Sequence, residues 1–211
     1  MNIIERLQWR YATKKFDDTQ IITETKIEVL KHAFNLTATS YGLQPVKLLL
    51  IKDKVLQHEL VSHSMNQQQV GQASHVLVFC IVDTVDEAYV EAYFNRIQRI
   101  RNTPEEILNG FKNYLIDDFK SKAQVEIDTW ATKQAYLTMG NLLTICALEA
   151  IDACPMEGFD PKAYDEKLGL AEKGLKSVLV MPIGYRAEDD MFSSLKKVRK
   201  TIKDSVIELE T

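Results

Sequence analysis

The sequence predicts an α+β fold in which helices flank a small mixed sheet. Short apolar runs typical of strands occupy residues 46–51, 75–82 and 177–185, and most stretches between them are typical of helices. Helices and strands do not alternate in regular β–α–β units, which argues against a parallel doubly wound fold. The 211 residues contain no internal repeat or linker, so we expect one domain over residues 1–211.

The N-terminal half begins with two predicted helices. Residues 2–9 are amphipathic and predict a short helix. A second helix is expected from Thr23, because the apolar residues after it recur on one helical face. Pro45 precedes the strand at 46–51, a position where proline costs no ladder hydrogen bond. Residues 54–64 predict a further helix, and a buried strand follows.

The C-terminal half contains a long helix of unusual composition. Residues 84–121 are expected to be mostly helical, partly exposed and interrupted near Pro104. Residues 125–151 predict a long helix whose second half, 135–151, is apolar almost all round. We expect a subunit interface to bury this half; a central core helix in a monomer is the alternative. The tail at 202–209 carries a second short strand-like run.

Composition and charge exclude several functional classes. A formal charge of −4 and a pI near 5.6 argue against nucleic-acid binding, although a small anionic ligand remains compatible. The N-terminus has no signal-peptide pattern, and no apolar run is long enough to span a membrane. Cys80, Cys146 and Cys154 form no CxxC pair. We therefore expect a cytoplasmic protein without disulfides or a zinc site.

The common nucleotide and hydrolase motifs are absent. The sequence has no GxGxxG, no GxxxxGK[ST] and no GxSxG. None of the four histidines, His32, His58, His63 and His75, pairs with another at i+4. These histidines are interpreted as surface or packing residues, and no metal site is predicted. Redox chemistry would need a cofactor that a fold without these motifs can hold.

Two basic clusters lie near opposite ends of the chain. Arg10 and Lys14 follow the first helix, and Lys197 and Arg199 precede the C-terminus. On an extended segment, side chains two residues apart point the same way. Converging arginines and a lysine would suit a phosphate dianion, which arginine can bind through two hydrogen bonds. Taken separately, each cluster is more typical of a solvated charged surface.

Two loops offer further candidate positions. Residues 39–45 join a helix end to a strand and supply hydroxyls, an aromatic ring and Gly42, which allows close approach of the backbone to a planar ligand. Residues 154–158 form a tight loop whose N–H groups and Glu157 would be able to face a ligand. The alternative for both loops is an ordinary turn.

Taken together, these segments resemble the nitroreductase family, in particular its oxygen-insensitive NAD(P)H nitroreductase and dihydropteridine reductase branch. The matching residues occur in family order and span most of the chain. They are Arg10, Lys14, Phe16, Asp17, residues 40–45, 66–69 and 73–75, Gln134, Tyr136, Gly140, Asn141, residues 155–160, Gly184 and residues 197–199.

The resemblance implies a nitroreductase-like α/β sandwich that forms an intertwined homodimer through long central helices, with C-terminal tails reaching over the partner. It implies FMN at the dimer interface, with each site drawing residues from both subunits. NADH or NADPH would supply hydride to flavin N5 in a ping-pong reaction. A nitroaromatic, quinone or reducible pteridine would then accept the electrons. Because the flavin carries the chemistry, no side chain is expected to be catalytic.

The resemblance also implies roles for individual residues. Arg10, Lys197 and Arg199 would hold the FMN phosphate, with Tyr11 and Ala12 beside them. Lys14, Asn66 and Gln69 would lie at the pyrimidine edge, Lys14 near N1 and O2. The residues along one face of the ring would be Pro155, Met156, Glu157 and Gly158, with the N–H groups of the last two near N5 and O4. Gln134 would contact the ribityl chain or its surroundings, and the other subunit would contribute Thr39, Ser40 and Gly42.

Some positions depart from the family pattern, and one region is harder to assign. Tyr11 replaces a common histidine, Ala12 replaces a phosphate-binding serine, and Gln69 replaces a frequent lysine.

The aromatic-rich segment with Phe111 and Tyr114 is expected to form a roof over the substrate site, with Tyr114 facing the flavin. The alternative to an enzyme is a non-catalytic flavin- or anion-binding regulatory module.

Overall fold

A computed structural model describes residues 2–209 of the chain. Its sheet contains β1 (Val46–Ile51), β2 (His75–Val82), β3 (Asp152–Ala153) and β4 (Leu175–Gly184), in the order β1-β2-β4-β3. All three strand pairs in this part of the chain are antiparallel. The α+β class is confirmed, but the expected mixed sheet is wrong in this detail. The chain re-enters the sheet at the end where it left, as the pairs Ile51–Val76 and Val82–Leu175 show, and so the neighbouring strands run in opposite directions.

Helices surround this sheet. Their bounds are α1 Ile3–Trp9, α2 Glu24–Leu36, α3 Lys54–Ser62, α4 Gln69–Gln72, α5 Glu87–Arg101, α6 Glu105–Ser121, α7 Gln124–Leu148, α8 Pro161–Leu168 and α9 Ile202–Ser205. The predicted helices are confirmed, including the interruption at Pro104, which immediately precedes α6. The strand-like run predicted at 206–209, in the tail 202–209, is wrong. Helix α9 occupies the preceding residues, and no strand of the described chain includes 206–209.

The sheet is buried on both faces. On one face, Leu77 and Phe79 of β2 pack with Leu30 of α2 and Leu142 of α7. On the other face, alternate residues of β2 pack with α3 and with Tyr164 of α8. This two-sided burial explains why β2 is an uninterrupted apolar run, since neither face of the strand meets water. The expected sandwich of helices around a small sheet is confirmed.

Helix α7 is the longest helix in the described chain, and one side of it remains uncovered. Ala135 and Leu142 are fully buried against the sheet, whereas Leu137 is 50% exposed and Leu148 is 40% exposed. The tail adds more uncovered apolar surface, with Ile207 86% exposed. Within the described chain, α7 is therefore not buried on all sides. Among residues 2–209, no helix has both the length and the apolarity needed to cross a membrane.

Candidate functional site

A basic cleft of about 520 Å³ opens beside the loop that follows α1. The sequence-predicted residues along its walls are Arg10, Tyr11, Ala12, Lys14, Pro155, Lys197 and Arg199. The two basic clusters, which lie almost a whole chain apart, are therefore brought to one place. Lys197 secures the irregular tail there by donating hydrogen bonds to the carbonyl oxygens of Leu7, at 2.9 Å, and of Arg10.

The cations of this cleft repel one another, and residues 2–209 supply no carboxylate that pairs with them. The pKa of Arg10 is lowered by burial and then by repulsion from Arg199. The pKa of Lys197 is lowered by burial and then by repulsion from Arg10 and Arg199. Within residues 2–209, none of these side chains forms an ion pair. Mutual repulsion with no internal counter-ion is the arrangement expected of an anion site.

One carboxylate, Asp190, holds the loop that carries Arg10 and Lys14. Its Oδ2 accepts the Tyr11 hydroxyl at 2.9 Å and the main-chain N–H groups of Lys14, at 2.9 Å, and Lys15, at 3.2 Å. Burial tends to raise the pKa of Asp190, but hydrogen bonds from the Lys14 N–H, Tyr11 and others outweigh it and lower that pKa overall. The loop geometry is thus set before any ligand arrives.

A second carboxylate anchors the same loop from behind. Asp152, 4% exposed, accepts the Arg186 Nε at 2.8 Å and the Arg186 main-chain N–H at 2.9 Å. The Arg186 guanidinium lies 4.3 Å from the Trp9 ring centroid and 4.6 Å from that of Tyr11. Cation–π contact with both rings therefore secures the residues on either side of Arg10. Sequence reasoning missed Asp152, Arg186 and Asp190, because isolated residues far apart in the chain produce no pattern.

A depression of about 430 Å³ continues from the basic cleft, and Leu143 and Pro155 line both. Met156 and Glu157 line this depression opposite Gly140 of α7. The loop is held in place because Met156 exchanges main-chain hydrogen bonds with Val180 of β4, at 2.8 and 3.1 Å.

The next two residues of this loop, Glu157 and Gly158, have main-chain N–H groups that are free to bind a ligand. Neither N–H donates to an acceptor in the part of the chain described. The Glu157 carboxylate accepts the Tyr136 hydroxyl at 2.7 Å, which fixes the side chain without using these N–H groups.

Of the three predicted pyrimidine-edge residues, Gln69 and Lys14 lie near Cys154. Gln69, 6% exposed, directs its Nε2 to the Cys154 Sγ at 3.9 Å. Burial raises the pKa of the Cys154 thiol, and the nearby Lys14 ammonium opposes that rise. Gln69 and Lys14 therefore both lie close to Cys154. Asn66 is exposed in a turn where it and Met65 adopt left-handed backbone conformations, with φ of 56° and 53°.

The remaining predicted residues form a second group, in which the loop before β1 packs against α7 near Gln134. The Ser40 N–H donates to the Gln134 Oε1 at 2.9 Å, while the Gln134 Nε2 donates to the Trp130 carbonyl at 3.1 Å. Gly42, at φ 74°, packs where a Cβ would collide with the Tyr93 hydroxyl. Thr39, Ser40, Gly42 and Gln134 line neither the basic cleft nor the depression. Gln134 and Leu143 are nine residues apart, or about 13 Å along the helix axis.

The predicted roof residues belong to this second group. Phe111 and Tyr114 stack with centroids 6.2 Å apart, and Phe111 also meets Tyr41 edge-on at 6.2 Å. Both are about half exposed, at 47% and 56%. Gln134, expected at the ribityl chain or its surroundings, is thus placed with Ser40 and the roof. The site residues of one chain therefore form two groups. The clamp group lies around the basic cleft and includes Arg10, Lys14, Lys197 and Arg199. The roof group lies around Tyr41 and includes Ser40, Phe111, Tyr114 and Gln134.

Comparison with solved structures confirms the fold. A nitroreductase-like protein from Streptococcus mutans superposes with a TM-score of 0.84 at 18% identity, covering 98% of each chain. A structure from Exiguobacterium sibiricum, solved in complex with FMN, gives a TM-score of 0.81 at 16% identity, covering 99% of this chain and 98% of that one.

Comparison of sequences identifies the family. The oxygen-insensitive NAD(P)H nitroreductase of Enterobacter cloacae is 31% identical over 217 aligned positions, which cover 99% of this chain and 100% of that protein. The enzyme of the same name from Salmonella typhimurium is 28% identical with the same coverage. The model of the nitroreductase family matches residues 7–185. This match covers most of the chain and includes both site groups except the Lys197–Arg199 tail, and the protein therefore belongs to the nitroreductase family.

Proposed function

We propose that this protein is an FMN-dependent oxidoreductase that takes hydride from NADH or NADPH and reduces nitroaromatics, quinones or similar acceptors. The observation that carries the proposal is the cluster of Arg10, Lys197 and Arg199 at one end of a cleft, where residues 2–209 supply no carboxylate partner. The depression that continues from this cleft is lined by Glu157, whose N–H, like that of Gly158 next to it, has no acceptor within residues 2–209. A flavin mononucleotide has a phosphate at one end and a polar ring at the other.

The residues present fit the phosphate of such a ligand. Two guanidinium groups and one ammonium supply charge-assisted hydrogen bonds, and arginine can donate two parallel ones. Tyr11 and Ala12 line the same wall but add little, because the Tyr11 hydroxyl is committed to Asp190. Affinity at this end is therefore assigned to the cations. The Exiguobacterium sibiricum structure was solved in complex with FMN, which supports the same ligand for this chain.

The ring end fits a flavin that cycles between two charge states. When bound, FMN supplies the hydride-accepting and hydride-donating chemistry, so no side chain is assigned as catalytic. Lys14 holds a positive charge beside Cys154 and Gln69, where it would stabilise negative charge on a reduced ring. The Glu157 and Gly158 N–H groups would help to orient the ring over the floor that Pro155 and Met156 provide. Asn66, in its exposed turn, is assigned to the polar edge by the resemblance alone.

The proposed working unit is a homodimer of one domain, residues 1–211, with two composite sites. The clamp group and the roof group share no cleft within one chain, and one side of α7 together with the tail leaves apolar surface uncovered. Pairing two copies would cover that surface and bring the Ser40 loop and the roof of one copy to the clamp of the other. Tyr114 and Phe111 would then cover the exposed flavin face. The three cysteines are free and buried, which suits the reducing cytoplasm.

The deciding experiment uses purified protein. Apoprotein should bind FMN stoichiometrically, and the holoprotein should oxidise NADH or NADPH only when menadione or a nitrofuran is present. Double-reciprocal plots at several acceptor concentrations should be parallel, as a ping-pong sequence requires. Failure to bind FMN would refute the proposal. FMN binding without NAD(P)H oxidation would support the alternative of a non-catalytic flavin-binding regulatory module.

A further inference from the structure

Two side-chain amides connect the turn before α4 to the loop after β3. The Gln69 Nε2 donates to the Gln67 Oε1 at 3.2 Å, and the Gln67 Nε2 donates to the Gly158 carbonyl oxygen at 2.8 Å. Gln67 lies within residues 66–69, which carry the family resemblance, but it has been given no role so far. It stands between a residue of the proposed pyrimidine edge and the loop whose N–H groups meet the ring.

The Gly158 carbonyl determines the direction of this relay. A carbonyl oxygen can only accept, so Gln67 must turn its NH₂ toward Gly158 and its oxygen toward Gln69. Gln69 must then donate to that oxygen with its own NH₂. The second Gln69 proton is directed at the Cys154 Sγ, which is 3.9 Å from Nε2. Both protons of the Gln69 carboxamide are therefore engaged inside the protein.

The one atom of this amide left for a ligand is the Gln69 Oε1. No described donor reaches it, and it is absent from the side-chain atoms that are both buried and unpaired. The oxygen therefore keeps some accessible surface, although the residue as a whole is 6% exposed. It belongs to a side chain that meets Cys154, the residue before the cleft-lining Pro155.

We propose that Gln67 is a positioning residue that turns Gln69 so that its carbonyl oxygen, and not its N–H, faces the flavin edge beside Lys14. The proposal rests on FMN binding as proposed above. A carbonyl oxygen at this position accepts a hydrogen bond from the imide N–H of the flavin. Its partial negative charge destabilises the negative charge of the reduced ring. Gln69 and Lys14 therefore act in opposite directions on the stability of reduced FMN.

The surrounding contacts keep the relay rigid. A Cβ at Gly158 would lie 3.0 Å from the Gln67 Nε2 and 3.3 Å from the Met65 Sδ, so Gln67 packs directly on this glycine. The Asp160 N–H donates to the His63 carbonyl at 2.8 Å. The Ser64 and Tyr164 hydroxyls share a hydrogen bond of 2.7 Å nearby. The turn and the loop therefore hold together as one unit, which leaves Gln67 little freedom to reverse its amide.

The test is the sign of the change in FMN midpoint potential. Gln69→Met removes the carboxamide, keeps most of the side-chain length and should shift the potential in the positive direction. The ratio of reduced to oxidised FMN affinity should rise by roughly threefold to tenfold, the usual range for one hydrogen-bonding group. Gln67→Met releases Gln69 to present its NH₂, so it should also shift the potential positively. In the Gln67→Met background, adding Gln69→Met should shift the potential negatively.

The matched control is Gln98→Met, at an exposed position of α5, which should leave the potential unchanged. A negative shift for Gln69→Met in the wild-type background would overturn the proposal, because Gln69 would then be a donor. Equal effects of Gln69→Met in both backgrounds would also overturn it, since Gln67 would have no orienting role. If Gln67→Met does not fold, the sign for Gln69→Met decides alone. Wild-type protein that binds no FMN would refute the proposed function itself, and these two failures are distinct.

Discussion

The Tyr11 hydroxyl and Asp190 are joined by a 2.9 Å hydrogen bond across 179 residues of chain. The same carboxylate accepts the main-chain N–H of Lys14, and Asp190 is only 3% exposed. The buried Asp190 carboxylate thus fixes the positions of Tyr11 and Lys14, two residues of the proposed flavin site. Its hydrogen bonds lower the pKa of Asp190 overall, which makes the loop sensitive to acid.

Asp190→Asn should destabilise the protein at neutral pH by about 1.5–3 kcal/mol, since hydrogen bonds to a charged acceptor are lost. A carboxyl group whose pKa is depressed by folding stabilises the protein above its unfolded pKa of about 3.9. That contribution is lost as pH falls through the lower pKa of the folded state. The difference in unfolding free energy between wild type and variant should therefore narrow below about pH 4. Urea denaturation at several pH values measures it.

Asp189→Asn is the matched control, because the Asp189 carboxylate is 68% exposed and its ion pair within residues 2–209 is with Lys15 at the surface. It should cost less than about 1 kcal/mol. A stability gap for Asp190→Asn that stays constant from neutral to acid pH would show that the charge has no special role.

Arg10→Ala and Arg199→Ala should each weaken FMN binding by roughly tenfold or more, from loss of about 1.5–3 kcal/mol of charge-assisted hydrogen bonding. Both side chains line the basic cleft without a carboxylate partner in residues 2–209. Fluorescence titration of apoprotein measures the dissociation constants, with Lys200→Ala as the control variant. Riboflavin, which lacks the phosphate, should bind weakly and almost equally to wild type and both variants. Equal losses for riboflavin and FMN would rule out the phosphate assignment.

Lys14→Met should lower the FMN midpoint potential, because reduced FMN loses a counter-charge in a partly desolvated cleft. Each 1 kcal/mol of lost differential stabilisation corresponds to about 20 mV for two electrons. Lys15→Met is the matched control, since the Lys15 ammonium pairs with Asp189 instead. A redox titration separates the outcomes. Uniformly weaker binding of oxidised and reduced FMN, with an unchanged potential, would make Lys14 a binding contact without electronic effect.

Leu137→Asp should convert the proposed dimer to monomer, because an unpaired charge in a dry interface is strongly unfavourable. Leu137 is 50% exposed on α7 and lines neither cleft, unlike Leu143, which lines both. Sedimentation measures the assembly, and bound FMN should be lost along with it. Val55→Asp, at a 69% exposed position of α3, should leave the assembly intact. A flavin-loaded, well-folded monomer of the Leu137 variant would contradict the proposed interface.

Local patterns in the sequence predicted most of the fold. Apolar runs identify β1, β2 and β4, because a strand buried on both faces needs consecutive apolar residues. Pro104 marks the start of α6, because proline lacks the N–H that a helix interior requires. The short helix α8 was overlooked, although Asp160 and Pro161 form an N-terminal signal and Gly169 a C-terminal one. Strand β3 and the antiparallel pairing depend on distant partners, which no local pattern encodes.

The candidate site depended more on resemblance than on pattern. The sequence pattern alone gave no reason to place Arg10 beside Arg199, yet in the structure both line one cleft. The supports behind them, Arg186 and Asp152, interact across 34 positions and were not predicted. Gln67 was hidden for another reason. Its role depends on hydrogen bonds to Gly158 and Gln69, which form only when the folded chain brings the turn before α4 into contact with the loop after β3.

The division of site residues into a clamp group and a roof group on one chain has a genetic consequence. In a homodimer of the proposed kind, each pocket would join the clamp of one copy to the Gln134–Ser40 unit and roof of the other. A cell that expresses a clamp-defective allele beside a roof-defective allele would assemble mixed dimers. Each mixed dimer would contain one pocket free of both lesions and one pocket carrying both. Two null alleles would complement each other across groups, whereas two lesions in the same group would not.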